Sequence, residues 1–166
     1  MAASRRMEFI ARTQLTGTAA SVSFATGLSG FTKFFLVAYI VNDANTKSLW
    51  LRFNADAGAN YAYQYVSATG ATVAGARVTG AAQVVFNTTA VLAASEAACI
   101  VIEISKPVAG EVARITARAG YNATIIYEAS AAEWTNTADL INRIDVLASS
   151  NNITTGTRIL LYGSRD

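Results

Sequence analysis

The chain has 166 residues, of which 52% are hydrophobic and 14% charged, and its net charge is +2. This length is typical of a single domain with a substantial core. The 13 basic and 11 acidic residues are interspersed without a run of either sign, so the sequence favours neither nucleic acid nor an anionic membrane as a partner.

Two residue types narrow the possible chemistry. There is no histidine, which excludes histidine-based catalytic triads and most zinc sites. Cys99 is the single cysteine, so no intrachain disulfide can form. Because Cys99 lies in an apolar run, we expect it to be a small buried side chain.

The low charge content also leaves few residues to cover a monomer's surface, which favours an oligomer or an assembly.

The N-terminal segment divides from the rest of the chain. Residues 1–6 are polar and unpatterned and predict a flexible arm, whereas residues 7–166 predict one domain. In an assembly, Arg5 and Arg6 of this arm could order on a neighbouring subunit. No segment has the apolar length of a signal peptide or a transmembrane span, so we expect a protein made in the cytoplasm and kept off membranes.

The first half of the chain predicts strands over 7–15, 21–25 and 32–42. The third segment is apolar on both faces, which favours a central strand covered on both sides. The stretch 49–65 alternates apolar and polar residues on either side of a small turn and predicts a strand, a loop and a second strand, paired like a hairpin. Residues 67–83 are small and glycine-bearing and predict a long loop with a weak strand near Val78.

The second half continues the pattern. Strands are predicted over 83–87, 98–106, 112–119 and 124–134. The strand over 98–106 ends before Pro107, because proline cannot donate a backbone hydrogen bond to the sheet. Residues 88–98 are the one place where a short helix is plausible. Residues 140–148 fit either a helix or a strand. We favour a strand, because the Asn151-Asn152 pair is typical of a turn into a last strand over 157–163.

About ten short strands separated by turns at this spacing are typical of a sandwich or a barrel. The strands are too short and irregular for an up-and-down barrel. We therefore predict an all-β protein, a two-sheet jelly roll or related β-sandwich.

The loop Asn54-x-Asp56-x-Gly58-x-Asn60 is the best local candidate for binding. Its alternating oxygen-bearing side chains are similar to a calcium loop, but Asp56 carries the one charge and Gly58 stands where a ligand would be needed. The alternative is an Asx-rich turn, in which Asn and Asp bond to their own backbone. We favour the turn and predict neither a metal nor a cofactor.

A second candidate is aromatic. Trp50 and the alternating Tyr61, Tyr63 and Tyr65 could form a platform for sugar rings or nucleobases. Asp56 and Asn60 are further candidates for a contact or glycan surface. The alternative is that the tyrosines pack between the sheets. A glycan surface therefore stays open as a hypothesis, and nucleic acid is disfavoured because no basic residues are interleaved.

The charged residues give no catalytic pattern. Arg114 and Arg118 predict an exposed strand face, on which cross-strand ion pairs are expected. Their expected partners are Glu103, Glu111 and Glu128. A carboxylate pair for glycoside hydrolysis could come from these residues and Glu133, but the sequence does not place any two of them together. Since no phosphate-binding loop, nucleophile elbow or metal-ligand spacing occurs either, we predict that the protein is not an enzyme.

Three segments carry a resemblance to a known group of proteins. LRFNADAGANYAYQY (residues 51–65) resembles the RFN-D-G-NY-Y segment of small tailed-bacteriophage virion proteins, and ILLYG (159–163) resembles their LYG ending. The opening FIARTQLTGTAASVSFATGLSGFTKFFLVAYI (9–40) is similar to the start of the same group, whereas residues of about 67–135 do not align.

The resemblance implies a place in the virion and no chemistry. Proteins of this group are described as structural, tail-fibre or decoration proteins. We therefore expect a virion protein that forms a homotrimer. It would contact other virion proteins as a capsid decoration or cement protein. The alternative is a tail-fibre or receptor-recognising module that binds a host-surface glycan.

Overall fold

The computed structural model describes residues 6–43, 48–86, 96–105, 109–121 and 126–165. These residues form twelve β-strands and no helix. The strands are β1 (Glu8–Gln14), β2 (Ser21–Phe24), β3 (Lys33–Val41), β4 (Leu49–Phe53), β5 (Tyr61–Thr69), β6 (Thr72–Ala81), β7 (Val84–Phe86), β8 (Ala97–Ser105), β9 (Ala113–Tyr121), β10 (Ile126–Trp134), β11 (Ile144–Ala148) and β12 (Arg158–Ser164). The predicted all-β class is confirmed.

The strands form two antiparallel sheets that pack as a sandwich. The larger has the order β1-β12-β3-β8-β9-β10-β5-β6, and the smaller has the order β2-β11-β4-β7. Eight of the strands pair in order from the two ends of the sequence towards its middle. The pairs are β1 with β12, β2 with β11, β3 with β8 and β4 with β7. A long ribbon of this kind, rolled so that its strands alternate between two sheets, is a jelly roll.

The remaining four strands extend the larger sheet. The β5-β6 hairpin is inserted between β4 and β7, and the β9-β10 hairpin is inserted between β8 and β11. Although the two insertions are far apart in sequence, β10 pairs with β5 along its whole length. The extension is therefore one four-stranded unit that continues the jelly roll beyond β8.

The core lies between the sheets and follows the period of two. Strand β3 buries Phe34, Leu36 and Ile40, and β4 buries Leu49, Leu51 and Phe53. The side chain of Asn42 is also fully buried, and its Oδ1 and Nδ2 have no hydrogen-bond partner in the described structure. Burial of such an amide opposes folding unless its polar atoms are bonded.

A close contact explains the glycine of the terminal ILLYG segment. Gly163 is buried, and a Cβ atom placed on it would come within 2.5 Å of Phe31 Cδ1 and 2.7 Å of Ile10 Cδ1. The absence of a side chain lets the Phe31 ring lie against β12. Phe31 is in turn covered by Arg165, whose guanidinium carbon lies 4.2 Å from the ring centroid.

Several local predictions are wrong, because strand partners are chosen over long distances. Strands β4 and β5 lie in different sheets, so 49–65 is not a hairpin. Residues 67–83 are not a loop: β5 runs to Thr69 and turns through Gly70, with a φ of 57°, directly into β6. Strands β11 and β12 also lie in different sheets, which excludes a hairpin at Asn151.

Other predictions concern exposure or fall outside the described residues. Cys99 is exposed and not buried, since the β8 alternation turns Ala98 and Ile100 inward. Of the plausible helix over 88–98, residues 88–95 lie outside the described residues, and 97–98 begin β8. Arg5 and Pro107 also lie outside them, while Arg6 is exposed.

Candidate functional site

The loop between β4 and β5 carries the chain from one sheet to the other. Asn54 and Ala55 both adopt left-handed conformations, with φ of 54° and 57°. The Asn54 side chain is fixed by the segment before β11: its Oδ1 accepts hydrogen bonds from the backbone N–H groups of Asn142 and Arg143, at 2.9 and 3.1 Å. Its Nδ2 donates to the carbonyl of Leu140 at 2.8 Å. These bonds hold an uncommon backbone conformation in place.

Asp56 braces the same loop from inside. Its Oδ1 accepts a hydrogen bond from the Gly58 N–H at 2.9 Å, and its Oδ2 accepts from Asn60 Nδ2 at 2.9 Å and Trp134 Nε1 at 2.7 Å. Partial burial raises the pKa of Asp56, but the bonds from Trp134, Asn60 and Gly58 and the charge of Arg52 outweigh it and lower the pKa below its ordinary 3.8. All of these partners are donors, as in an Asx-type turn.

The predicted aromatic platform does not form at Tyr61 and Tyr63. Tyr61 is 1% exposed and Tyr63 8% exposed, because both point between the sheets. Tyr61 lies against Phe53 and Trp134, with ring centroids 6.3 and 6.4 Å apart, and its hydroxyl accepts a hydrogen bond from the Phe53 N–H at 2.9 Å. Burial, the dominant cause, raises the pKa of Tyr61 to about 12. This cluster joins β4 of the smaller sheet to the extension.

The other members of the platform are partly covered. Tyr65 is half-buried and packs against the core. Trp50 projects from the opposite side of the molecule, on the solvent side of the smaller sheet, where its Nε1 donates to Ser48 Oγ at 3.2 Å. The guanidinium carbon of Arg52 lies 5.6 Å from its ring centroid, in cation–π range. The candidate aromatics therefore do not share one surface.

The acidic residues are also dispersed. Arg114 pairs with Glu133, at 3.5 Å, and this exposed pair contributes little to stability. Glu128 is not the predicted surface partner, since it is 1% exposed and belongs to the inner face. Among the described residues, no three Asp, Glu, Cys or His side chains are grouped as a metal site would require.

A further surface is the side of the eight-stranded sheet that faces away from the smaller sheet, which we call the outer face. Cross-strand register places Tyr39, Cys99, Gly120, Tyr127 and Val73 in one row, with Arg158 at one end. The next row contains Leu160, Val37, Val101, Ala129 and Val66 around Arg118.

The outer face concentrates the exposed apolar side chains of the molecule. Seven large hydrophobic residues are at least half exposed in the described structure, and five of them project from this face. The five are Phe9, Tyr39, Val66, Val73 and Tyr127. A sixth, Met7, lines a pocket of about 340 Å³ at its rim with Phe35 and Glu103. A concentration of exposed apolar side chains on one face is typical of an interaction site.

The same face is basic. Its described residues include six cations and two anions, so that it carries more positive charge than the whole chain. The cations are Arg12, Lys33, Arg77, Arg114, Arg118 and Arg158, and the anions are Glu103 and Glu133. The sequence conceals this pattern, because these eight charged residues come from seven different strands, each of which supplies one or two of them.

One sequence signal did point to the outer face. The segment 32–42 is apolar on both faces, which predicts a strand covered on both sides. In the structure β3 is covered on one side, whereas Phe35 and Val37 on the other side are half-buried and Tyr39 is half exposed. A strand with apolar residues on a face that its own chain leaves accessible indicates a contact with another molecule.

The described part of the chain contains no helix that could span a membrane. No protein-family model matches the chain, and no curated protein matches it significantly.

Proposed function

We propose that this protein is a non-enzymatic bacteriophage virion protein that decorates the particle, and that the outer face is its contact with another virion protein. The observation that carries the proposal is the concentration of exposed apolar side chains on a face of the jelly roll that the chain itself leaves accessible. The resemblance of the segments 9–40, 51–65 and 159–163 to phage virion proteins supports the location.

The charge of the outer face favours a contact with another protein over a contact with the same face of a second copy. A two-fold contact of this face with itself would bring like charges together, because the cations outnumber the anions three to one. An apolar surface bordered by carboxylates, on a capsid subunit, would match both properties. Burial of apolar area at about 25 cal/mol per Å² would drive the contact, less the cost of ordering both partners.

The glycan-binding alternative has weaker support. It needed aromatic rings on one accessible surface, but Tyr61 and Tyr63 are buried and Trp50 lies on the other sheet. We therefore do not propose glycan binding for this protein. The homotrimer expected from the resemblance remains a prediction, and sedimentation of the free protein tests it.

Cosedimentation with purified phage particles tests the outer-face contact. We expect the wild type to bind and Tyr39→Glu to weaken binding about tenfold or more, since an interface aromatic is lost and a charge of the wrong sign is added. Leu140→Glu is the matched control, because Leu140 is similarly exposed but lies in the loop that contacts Asn54.

The single cysteine provides a second measurement. Cys99 is exposed in the centre of the outer face, so a maleimide should label it readily in the free protein. We expect particle binding to slow this labelling strongly. Equal labelling rates in the free and bound states, or equal binding of the two glutamate variants, would contradict the proposal.

A further inference from the structure

Strand β6 is the outermost strand of the eight-stranded sheet, and its outer edge is open. Each residue from Thr72 to Arg77 is exposed, and Val73 is 69% exposed. Among the described strands, β6 makes its substantial contacts with β5 alone. At such an edge, alternate backbone N–H and C=O groups have no partner in the sheet and can bond to another strand.

The edge lacks the devices that usually block pairing. Strand β6 contains no proline and no lysine, and Arg77 is its one charged residue. A bulge interrupts its pairing with β5 near Gly80, whose φ is 64°, but the seven residues from Thr72 to Val78 pair regularly. A regular edge of this length is a template for strand addition.

The opposite edge of the same sheet is protected. Strand β1 pairs irregularly with β12 between Phe9 and Ala11, and it carries the charged residues Glu8 and Arg12. Glu8 is also engaged by Arg165 at 3.6 Å. The difference between the two edges disfavours a head-to-tail contact of β6 with β1 of another copy.

We propose that β6 pairs antiparallel with β6 of a second copy, across a two-fold axis at Gly75. The pairing rests on the proposed function, in that it would join copies that the outer face holds on the particle. Its register is self-complementary: Gly75 lies opposite Gly75, Ala74 opposite Ala76, and Val73 opposite Arg77. The two Arg77 side chains are then about 13 Å apart along the ladder, beyond a Debye length at physiological salt.

The size of the contact sets its strength. Seven paired residues span about 24 Å, so the edge alone buries less than the roughly 1,200 Å² of a stable interface. We therefore expect a dissociation constant on the order of 10–100 µM in solution, and a much tighter association when many copies are arrayed on one particle. The pairing gives assemblies with an even number of copies: a dimer, or a hexamer where trimers also form.

Substitutions of opposite charge at Val73 test the register. Val73→Lys places a cation opposite Arg77 of the second copy, whereas Val73→Glu places a carboxylate there. We expect the first to raise the dissociation constant by roughly 3- to 30-fold and the second to lower it by a similar factor, since two cross-strand pairs change in each dimer. Both effects should shrink at about 1 M salt. Because Val73 is highly exposed, neither change should affect folding.

Sedimentation equilibrium of the free full-length chain, at up to about 0.5 mM, measures these constants. The controls are Tyr127→Lys and Tyr127→Glu. Tyr127 lies in the same row as Val73 but two strands away from the edge, so both changes should leave the dissociation constant unchanged. A wild type that is monomeric or trimeric at that concentration overturns the proposal, and so do two Val73 variants that shift the constant in the same direction. If pairing fails while Cys99 protection on particles holds, the proposed function stands without it.

Discussion

Replacement of Asp56 by Asn tests whether the loop between the sheets is a structural brace. The carboxylate accepts three hydrogen bonds, at 2.9, 2.9 and 2.7 Å, and an amide cannot accept all three, because its NH2 group must face at least one N–H donor. The bond from Trp134 matters most, since this indole is fully buried while Gly58 lies at the surface.

The expected cost follows from these contacts. A hydrogen bond to a charged group contributes about 1.5–3 kcal/mol, and the two bonds within the exposed loop can be replaced by water at small cost. We therefore expect Asp56→Asn to lower the free energy of unfolding by about 1.5–3 kcal/mol at pH 7. Urea denaturation followed by tryptophan fluorescence measures this, with Asp139→Asn as a surface control that should change stability by less than about 0.5 kcal/mol.

The pH dependence supplies the contradicting result. Because the pKa of Asp56 is lower in the folded than in the unfolded chain, the unfolded chain binds more protons between the two values. The stabilisation is complete above about pH 5 and is lost as the pH falls through the folded pKa. A cost for Asp56→Asn below about 0.5 kcal/mol at pH 7, or a cost that does not shrink at pH 3, would show that Asp56 does not brace the loop.

Three further predictions concern the core. Gly163→Ala should cost about 1–3 kcal/mol in thermal or urea unfolding, because the new Cβ overlaps the Phe31 ring; an unchanged stability would mean that the ring moves freely. Asn42→Leu should raise the free energy of unfolding by about 1–3 kcal/mol, since it removes unbonded buried polar atoms at similar shape, and a loss of stability would show that the amide is bonded. Tyr61→Phe should cost about 1–3 kcal/mol at pH 7 through the lost bond from the Phe53 N–H. This last cost should shrink between pH 10 and 12, because the folded wild type keeps a phenol proton that its unfolded chain loses, and a cost constant over that range in urea titrations would contradict the raised pKa.

The period of two in the sequence predicted most strands and their buried faces. The exposed strand face predicted from Arg114 and Arg118 is confirmed, since β9 alternates and buries Ala113 and Ile115 on its other side. The predicted strand over 21–25 is present as β2 and buries Val22 and Phe24. These features depend on neighbouring residues, and a sandwich is the common way to cover such faces. The fold class could therefore be predicted from the sequence.

Strand partners and surface composition could not be predicted, because they are properties of the assembled sheets. The turn after Phe53 has the residues of a hairpin loop, but β4 pairs with β11 and β7 and leaves β5 to β10. The basic character of the outer face arises in the same way, from strands distant in sequence whose register brings their arginines together. The loop at Asp56 is an Asx-rich turn, as its residue types predict, yet its bond to Trp134 joins residues far apart in the chain.

The two inserted hairpins constrain how this chain can be shortened or can evolve. Strand β5 has β6 on one side and β10 on the other, and β10 lies between β5 and β9. Loss of the β5-β6 hairpin alone would make β10 the open edge in place of β6. Loss of the β9-β10 hairpin alone would separate β5 and β6 from the rest of the sheet. The β5-β6 insertion therefore depends on the β9-β10 insertion for its place in the sheet, and an engineered scaffold can lose β5-β6 alone but not β9-β10 alone. During synthesis, the first hairpin must wait for the second before its inner side is complete, which makes this half of the sheet slow to assemble.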